Sequence, residues 1–113
     1  MAKAYSWYKL DEGRLPFAEK EISVQEVNGK KICCTLHGGR LFAFAYKCPH
    51  ASGIMADGMI DGAGNIVCPV HRYKFSLRNG YNTSGEGYYL KTYPIEQRED
   101  GPWLGMEKSG WFF

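Results

Sequence analysis

The sequence contains no long apolar run and no strong excess of charge of either sign. The longest stretch of consecutive apolar residues covers positions 41–46, far short of the ~20 that a membrane-spanning helix needs. The net charge is +2, from 14 basic and 12 acidic side chains, which is too weak to indicate a nucleic-acid-binding protein. Residues 1–10 contain polar side chains throughout, with neither an apolar signal core nor a twin-arginine pair. We therefore expect a soluble cytoplasmic protein without a membrane or nucleic-acid partner.

Helical periodicity is also scarce, whereas glycine is abundant, at 14 of 113 residues. Asn28 and Gly29 separate two apolar-rich runs, residues 21–27 and 30–36, and predict a hairpin because both residues tolerate positive φ. A turn at residues 37–40 would add a third strand, at 41–46. Further strands are predicted at 66–68, 73–77, 92–98 and 103–107, with a turn at 99–102 and a short helical turn near 54–57. The chain is thus predicted to form one all-β domain, residues 1–113.

Four cysteines are present, and the absence of an export signal favours metal binding or free thiols over disulfides. Cys33 and Cys34 are adjacent on a predicted strand, so their side chains should point to opposite faces. We expect one of them in the core and the other at the surface or packed on the sheet, and neither as a ligand.

The residues that indicate chemistry are Cys48, His50, Cys68 and His71. Each half of this set contains one cysteine and one histidine, and 17 residues separate the two halves. Each half lies where a predicted strand gives way to a loop, and loops at strand ends can surround a metal without breaking a sheet. The prolines that follow the two cysteines stiffen those loops.

A tetrahedral zinc ion is the first alternative for such a set. However, the spacing Cys-x-His places two ligands closer together than zinc sites usually do, and Pro- and Gly-rich loops suit an object larger than one ion. Buried cysteines with incidental histidines are the second alternative. Two of three histidines falling in register with two of four cysteines argues against it.

In this motif the sequence resembles the Rieske family, whose pattern is Cys-x-His, about 15 to 18 residues, then Cys-x-x-His. The resemblance extends from about residue 21 to 106. It implies one [2Fe–2S] cluster per chain, with Cys48 and Cys68 on one iron and His50 and His71 on the other. It also implies the fold, an antiparallel β sandwich that carries a small cluster-binding subdomain of two loops, at about residues 46–77.

Formal charges explain what histidine ligands change. Two ferric ions, two sulfides and two thiolates sum to zero, so an electron is added more easily than to a centre with four thiolates. Family members of high potential have a disulfide between the loops, and the corresponding positions here are Gly53 and Val70. They also place Ser and Tyr hydroxyls near the cluster, where this chain has Tyr73 and Phe75. We therefore expect a low-potential centre, toward the lower end of the range of about −150 to +300 mV.

The resemblance implies an electron-transfer protein rather than an enzyme. As a ferredoxin, it would pass electrons from a flavin-dependent reductase to a terminal oxygenase or similar enzyme. Residues 68–80 also resemble small subunits of nitrite reductases, which is the alternative. Oxygenase activity of the chain itself would need a separate mononuclear iron, and only His37 remains; we expect His37 to be solvated in a turn.

Three further features of the sequence bear on function. The cations Lys47, Arg72 and Lys74 flank the predicted ligand loops and are either ordinary surface charge or a rim that attracts an acidic redox partner. The segment at residues 82–87 stands where many family members have a proline-rich loop, but it contains no proline. The apolar residues 111–113 would pack on the sheet or in an oligomer.

Overall fold

The computed structural model describes residues 4–49, 53–70, 72–83 and 87–108. Its strands are β1 (Tyr5–Lys9), β2 (Ile22–Val27), β3 (Lys30–His37), β4 (Arg40–Ala45), β5 (Met59–Ile60), β6 (Asn65–Val67), β7 (Lys74–Ser76), β8 (Thr92–Tyr93), β9 (Ile95–Arg98) and β10 (Gly101–Glu107). Two short 3-10 helices occupy Glu12–Arg14 and Met55–Asp57, the second where the sequence predicts a helical turn.

The strands form three antiparallel sheets, in the orders β1-β10-β9, β2-β3-β4-β8 and β5-β6-β7. This arrangement confirms the predicted all-β class. Among the described residues, no helix reaches the length and apolar character that crossing a bilayer requires.

The first hairpin forms at the predicted turn. Asn28 and Gly29 both have positive φ, 50° and 81°, and Val27 pairs with Lys30. A second turn of the same kind, at Gly38 and Gly39, joins β3 to β4. Two residues of positive φ match the twist of the strands that they connect, so β2, β3 and β4 form the predicted meander.

Residues 92–98 do not form the single predicted strand. Pro94 has no backbone N–H to donate to a sheet, and the chain changes sheets at this residue. The part before it, β8, pairs with β4, and the part after it, β9, pairs with β10. The predicted turn at 99–102 is also shorter, because Arg98 pairs with Gly101 and only residues 99 and 100 lie between them.

Strands β1 and β5 have no counterpart in the sequence prediction. All five residues of β1 pair with β10, from Tyr5 opposite Glu107 to Lys9 opposite Trp103. Only Lys9 of this strand is exposed, and none of its residues is fully buried, so the segment has no clear alternation of buried and exposed side chains.

The central sheet, β2-β3-β4-β8, is covered on both faces. Cys33 and Phe44 pack into one core with residues from the β5-β6-β7 sheet, whereas Cys34 and Ala43 pack into a second core with Leu104. The two cysteines do point to opposite faces, as predicted, but both are fully buried. Of the two places expected for the second cysteine, the surface or a packed position on the sheet, the structure shows the packed position, because a sheet covered on both faces has no solvent side.

Burial makes both thiols poor nucleophiles. It raises the pKa of Cys33 to about 12, with smaller contributions from Cys34 and Asp57, and it raises the pKa of Cys34 to about 12 as well. The thiolate is the reactive form of cysteine, and at pH 8 a pKa of about 12 leaves roughly one thiol in ten thousand ionised.

We therefore expect iodoacetamide at pH 8 to leave Cys33 and Cys34 unmodified in the folded protein. Both should react after unfolding in guanidinium, where their pKa values return to the ordinary range near 8.5. Peptide mass spectrometry of the two samples gives the result. Rapid alkylation of either residue in the native protein would contradict the burial described here.

Candidate metal centre

Two loops of the same backbone pattern contain the predicted ligands. In the first, the N–H of Cys48 donates to the carbonyl of Gly53 at 2.9 Å; in the second, the N–H of Cys68 donates to the carbonyl of Tyr73 at 2.8 Å. Each loop thus begins at a cysteine and closes on the residue five positions later. The sequence spacing of the ligands differs between the halves, but the closing hydrogen bond does not.

Each loop is the end of an extended hairpin. The N–H of Met55 donates to the carbonyl of Tyr46 at 2.7 Å, and Lys47 forms an isolated bridge with Ile54, below the first loop. Below the second loop, Val67 of β6 pairs with Lys74 of β7. Because paired strands support both loops, the positions of the two cysteine backbones are fixed by the sheets.

The side chains of Cys48 and Cys68 meet between the loops. They are 6% and 0% exposed, and they lie within hydrogen-bonding distance of each other. Burial is the largest cause that raises the pKa of Cys68, the backbone N–H of Val70 acts in the opposite direction, and Cys48 raises it further. Two cysteine sulfurs are therefore adjacent in an apolar environment, and a backbone N–H points at one of them.

This arrangement fits an iron–sulfur group. Thiolates are the ligands that such clusters take from proteins, and a hydrogen bond from Val70 N–H to sulfur favours its charged form. Gly53 leaves room for the Cys68 sulfur, because a Cβ on residue 53 would lie 2.9 Å from that sulfur. A larger residue at this position would have to displace that sulfur.

Gly53 and Val70 also face each other across the loops. A Cβ on Gly53 would lie 3.4 Å from Cβ of Val70, close to the ~3.5–4.5 Å that a disulfide requires. The two positions named from the sequence are thus neighbours, and neither contains sulfur. All four cysteines of the chain are free.

The predicted histidine ligands, His50 and His71, lie outside the described residues. Within the described ranges, no three His, Cys, Asp or Glu side chains form a group that could hold a metal ion. The structure therefore brings together the cysteine half of the predicted set, and the assignment of all four ligands stays a prediction.

The core below the loops is apolar. Phe75 is fully buried in the same cluster of side chains as both cysteines, and half-buried Tyr73 packs against that cluster. Since Phe75 has no hydroxyl, this position supplies no hydrogen bond to a cluster sulfur.

His37 is not the solvated turn residue that the sequence suggests. It ends β3, is half-buried, and its Nδ1 is buried without a hydrogen-bond partner among the described residues. The turn before β6 covers the ring, since a Cβ on Gly64 would lie 3.3 Å from its Nε2. Gly64 is the feature of the sequence that is compatible with this close approach of the turn to the His37 ring, because glycine has no side chain.

The cations that flank the loops differ in their surroundings. Lys47 and Arg72 are exposed, while the ammonium of Lys74 lies 3.8 Å from the carboxylate of Asp61. Lys74 is half-exposed and Asp61 mostly buried, and an ion pair at this distance with one exposed partner stabilises little. Of the other segments singled out from the sequence, residues 84–86 and 111–113 lie outside the described ranges.

Comparison with known proteins identifies the family to which the chain is similar. The model of the Rieske [2Fe-2S] domain matches residues 6–94. The ferredoxin component of the naphthalene 1,2-dioxygenase/salicylate 5-hydroxylase systems of Ralstonia sp. is 30% identical over 90 residues, which are 79% of this chain and 86% of that protein.

Two solved structures share the fold. The ferredoxin of carbazole 1,9a-dioxygenase from Nocardioides aromaticivorans IC177 superposes with a TM-score of 0.71 at 20% identity, covering 88% of this chain and 95% of that one. A protein described as an NADH-dependent nitrite reductase small subunit from Mycobacterium tuberculosis gives 0.75 at 15% identity, covering 91% and 96%. With the family model matching most of its length, the chain belongs to the Rieske [2Fe–2S] family, and it is an electron carrier with one such cluster.

Proposed function

We propose that Cys48 and Cys68 bind one iron of the cluster and that His50 and His71 bind the other. The single observation that carries this assignment is the contact between the two cysteine side chains at the ends of two equally closed loops. Both histidines belong to the same loops in the sequence, within three residues of the cysteines. The cluster-binding subdomain would then comprise about residues 46–77 of a single domain.

The chemistry of this site is the uptake and release of one electron. The chain contributes a dry environment for the sulfurs, since Cys48 and Cys68 are buried, and a backbone N–H from Val70 that favours negative charge on sulfur. We infer that it transfers electrons without converting a substrate itself. The one further histidine, His37, belongs to no group of His, Cys, Asp or Glu side chains that could hold a metal ion within the part of the chain that the structure describes.

We propose that the electron comes from a flavin-dependent reductase and goes to a terminal oxygenase. The support is that the Ralstonia relative is named as the ferredoxin component of oxygenase systems. Exposed residues lie next to both thiols in the chain, Pro49 beside Cys48 and Pro69 beside Cys68, so a partner could approach the cluster closely. The cytoplasm is the location that we propose, from the sequence alone.

A role as the small subunit of a nitrite reductase is the second candidate. The observation in its favour is the superposition on the Mycobacterium tuberculosis structure, which covers nearly the whole of both chains. The two roles differ in the lifetime of the complex, because a carrier must leave its donor to reach its acceptor and a subunit stays bound.

A first test concerns the ligands. Cys48→Ser and Cys68→Ser should each remove the visible absorption and the Rieske-type electron paramagnetic resonance signal, because a hydroxyl replaces the thiolate that holds iron. Thermal unfolding should also shift down, since cluster binding stabilises the folded chain. Iron and sulfide analysis gives the content per chain.

The matched control is Cys33, which lies in the same apolar core but is not proposed as a ligand. Cys33→Ser and Cys33→Ala should keep one cluster per chain and an unchanged signal, with at most a few degrees lost in thermal unfolding. Loss of the cluster in both variants, with the fold retained, would refute the assignment.

A second test concerns the potential. Neither Gly53 nor Val70 supplies a disulfide, and Phe75 supplies no hydroxyl, so these features of high-potential family members are missing, and among the described residues the hydrogen bond from Val70 N–H is what favours negative charge on a ligand sulfur. We expect a midpoint potential below zero at pH 7, toward about −150 mV. A redox titration followed by circular dichroism or electron paramagnetic resonance measures it, and a clearly positive midpoint would contradict this interpretation.

A third test separates the two roles. The tagged protein, expressed in its own cells and purified at physiological salt, should elute as a free red-brown carrier. With NADH and a flavin-dependent ferredoxin reductase it should then be reduced in many turnovers per reductase. Elution in a stoichiometric complex with a sirohaem enzyme would overturn the carrier proposal in favour of the subunit.

A further inference from the structure

An open groove runs along one face of the molecule, beside β4. It encloses about 830 Å³ and is bordered by β4, by the turn at residues 77–79 and by residues 89–95. Four of its lining side chains are aromatic: Tyr5, Phe42, Tyr89 and Tyr93. A volume of this size is typical of sites that bind small molecules or short peptide segments, and none of its lining residues is a proposed cluster ligand.

The groove is positively charged. Its charged lining residues are Arg40, Arg78, Lys91 and Glu107. Lys91 and Glu107 form an ion pair at 3.0 Å, so they largely cancel. The guanidinium of Arg40 lies 5.3 Å from the centre of the Phe42 ring, and no described carboxylate forms an ion pair with Arg40 or with Arg78. Two arginines are therefore available to an anion.

Two further exposed tyrosines adjoin Tyr89, which lines the groove: Tyr88 precedes it in the chain and Tyr81 contacts its ring. Tyr81, Tyr88 and Tyr89 are 54%, 46% and 59% exposed, and the rings of Tyr81 and Tyr89 lie 4.9 Å apart. Large apolar rings are uncommon on a surface that contacts only water. Tyrosine and arginine together are the residues that contribute most to binding energy in protein–protein interfaces.

The two arginines lie away from the ligand loops. Arg40 is the first residue of β4, whereas Cys48 follows the other end of that strand. A strand of this length spans about 17 Å. Arg78 likewise follows β7, whose first residue, Lys74, adjoins the second loop. A molecule bound at the two arginines would thus leave the loops uncovered.

We propose that this arginine groove, defined by Arg40, Phe42, Arg78, Tyr89 and Tyr93, binds an acidic segment of a partner protein that also contains aromatic residues. The unpaired arginines would bind its carboxylates, and the rings would pack against its aromatic side chains. This contact goes beyond the proposed function, because it uses none of the ligand residues. It would orient a partner during a short-lived encounter while the cluster end remains free to exchange electrons.

The probe is an acetylated, amidated pentapeptide of alternating Glu and Phe, with Glu at both ends. It is titrated into the ¹⁵N-labelled holoprotein and followed by amide chemical shifts. Saturable shifts should appear at Arg78, Tyr89 and their neighbours, and should weaken with added salt. The same peptide with Lys in place of Glu should bind at least about tenfold more weakly.

Charge reversal locates the site. The double variant Arg40→Glu/Arg78→Glu should weaken binding of the acidic peptide by about tenfold or more, with the cluster spectrum unchanged. The matched control, Arg14→Glu/Lys30→Glu, makes the same change in net charge at two exposed cations outside the groove and should change the affinity by less than about twofold.

Three outcomes would overturn the proposal. One is equal weakening by both double variants, which would mean attraction by net charge alone. Another is the absence of saturable shifts at millimolar peptide. The third is tighter binding of an oligothymidine octamer at the same residues, which would indicate a nucleic-acid partner. Each outcome concerns the groove only, so it leaves the ligand assignment unaffected.

Discussion

The closing hydrogen bonds of the two loops are the constraint on which the rest of the site depends. In each loop a cysteine N–H is held by the carbonyl five residues later, and the hairpin below the loop continues this pairing. This pairing fixes the two cysteine backbones at the points where the loops begin. Such a loop can direct several donor atoms toward one point while the sheets remain intact.

Both thiols are part of the molecule's larger apolar core. Cys48 and Cys68 share their cluster of side chains with Met55, Phe75 and Cys33, so the proposed site and the folding core are continuous. Metal binding and folding are therefore coupled: burial opposes ionisation of a free thiol, and bound iron removes that cost by pairing the thiolate with positive charge. The same burial without a metal keeps Cys33 and Cys34 neutral.

Local patterns in the sequence predicted what local physics determines. Asn28 and Gly29 gave a hairpin because their positive φ values need no tertiary help, and the spacing of Cys48 and Cys68 indicated two loops that the structure does place side by side. The features that were missed depend on distant contacts. Both faces of the central sheet are covered by segments remote in the chain, and the arginine groove joins residues 40, 78 and 89, which no local pattern connects.

Pro94 lies between the features that a local pattern predicts and those that depend on distant contacts. Its effect on a sheet is local, because it cannot donate a hydrogen bond, yet a proline within a predicted strand is compatible with an edge position as well as with a break. The strand breaks here because its two parts pair with different strands: β8, before Pro94, pairs with β4, and β9, after Pro94, pairs with β10.

The position of the thiols relative to the surface relates the fold to electron transfer. Cys48 and Cys68 are almost completely buried, but the next residue of each loop, Pro49 or Pro69, is exposed. Neither proline has a backbone N–H that would need solvent or a partner. The two sulfurs are thus shielded from solvent, while each cysteine is followed in the chain by an exposed residue that a partner protein can contact. An electron carrier requires both properties, because its cluster has to be protected from solvent and has to transfer its electron quickly to a partner.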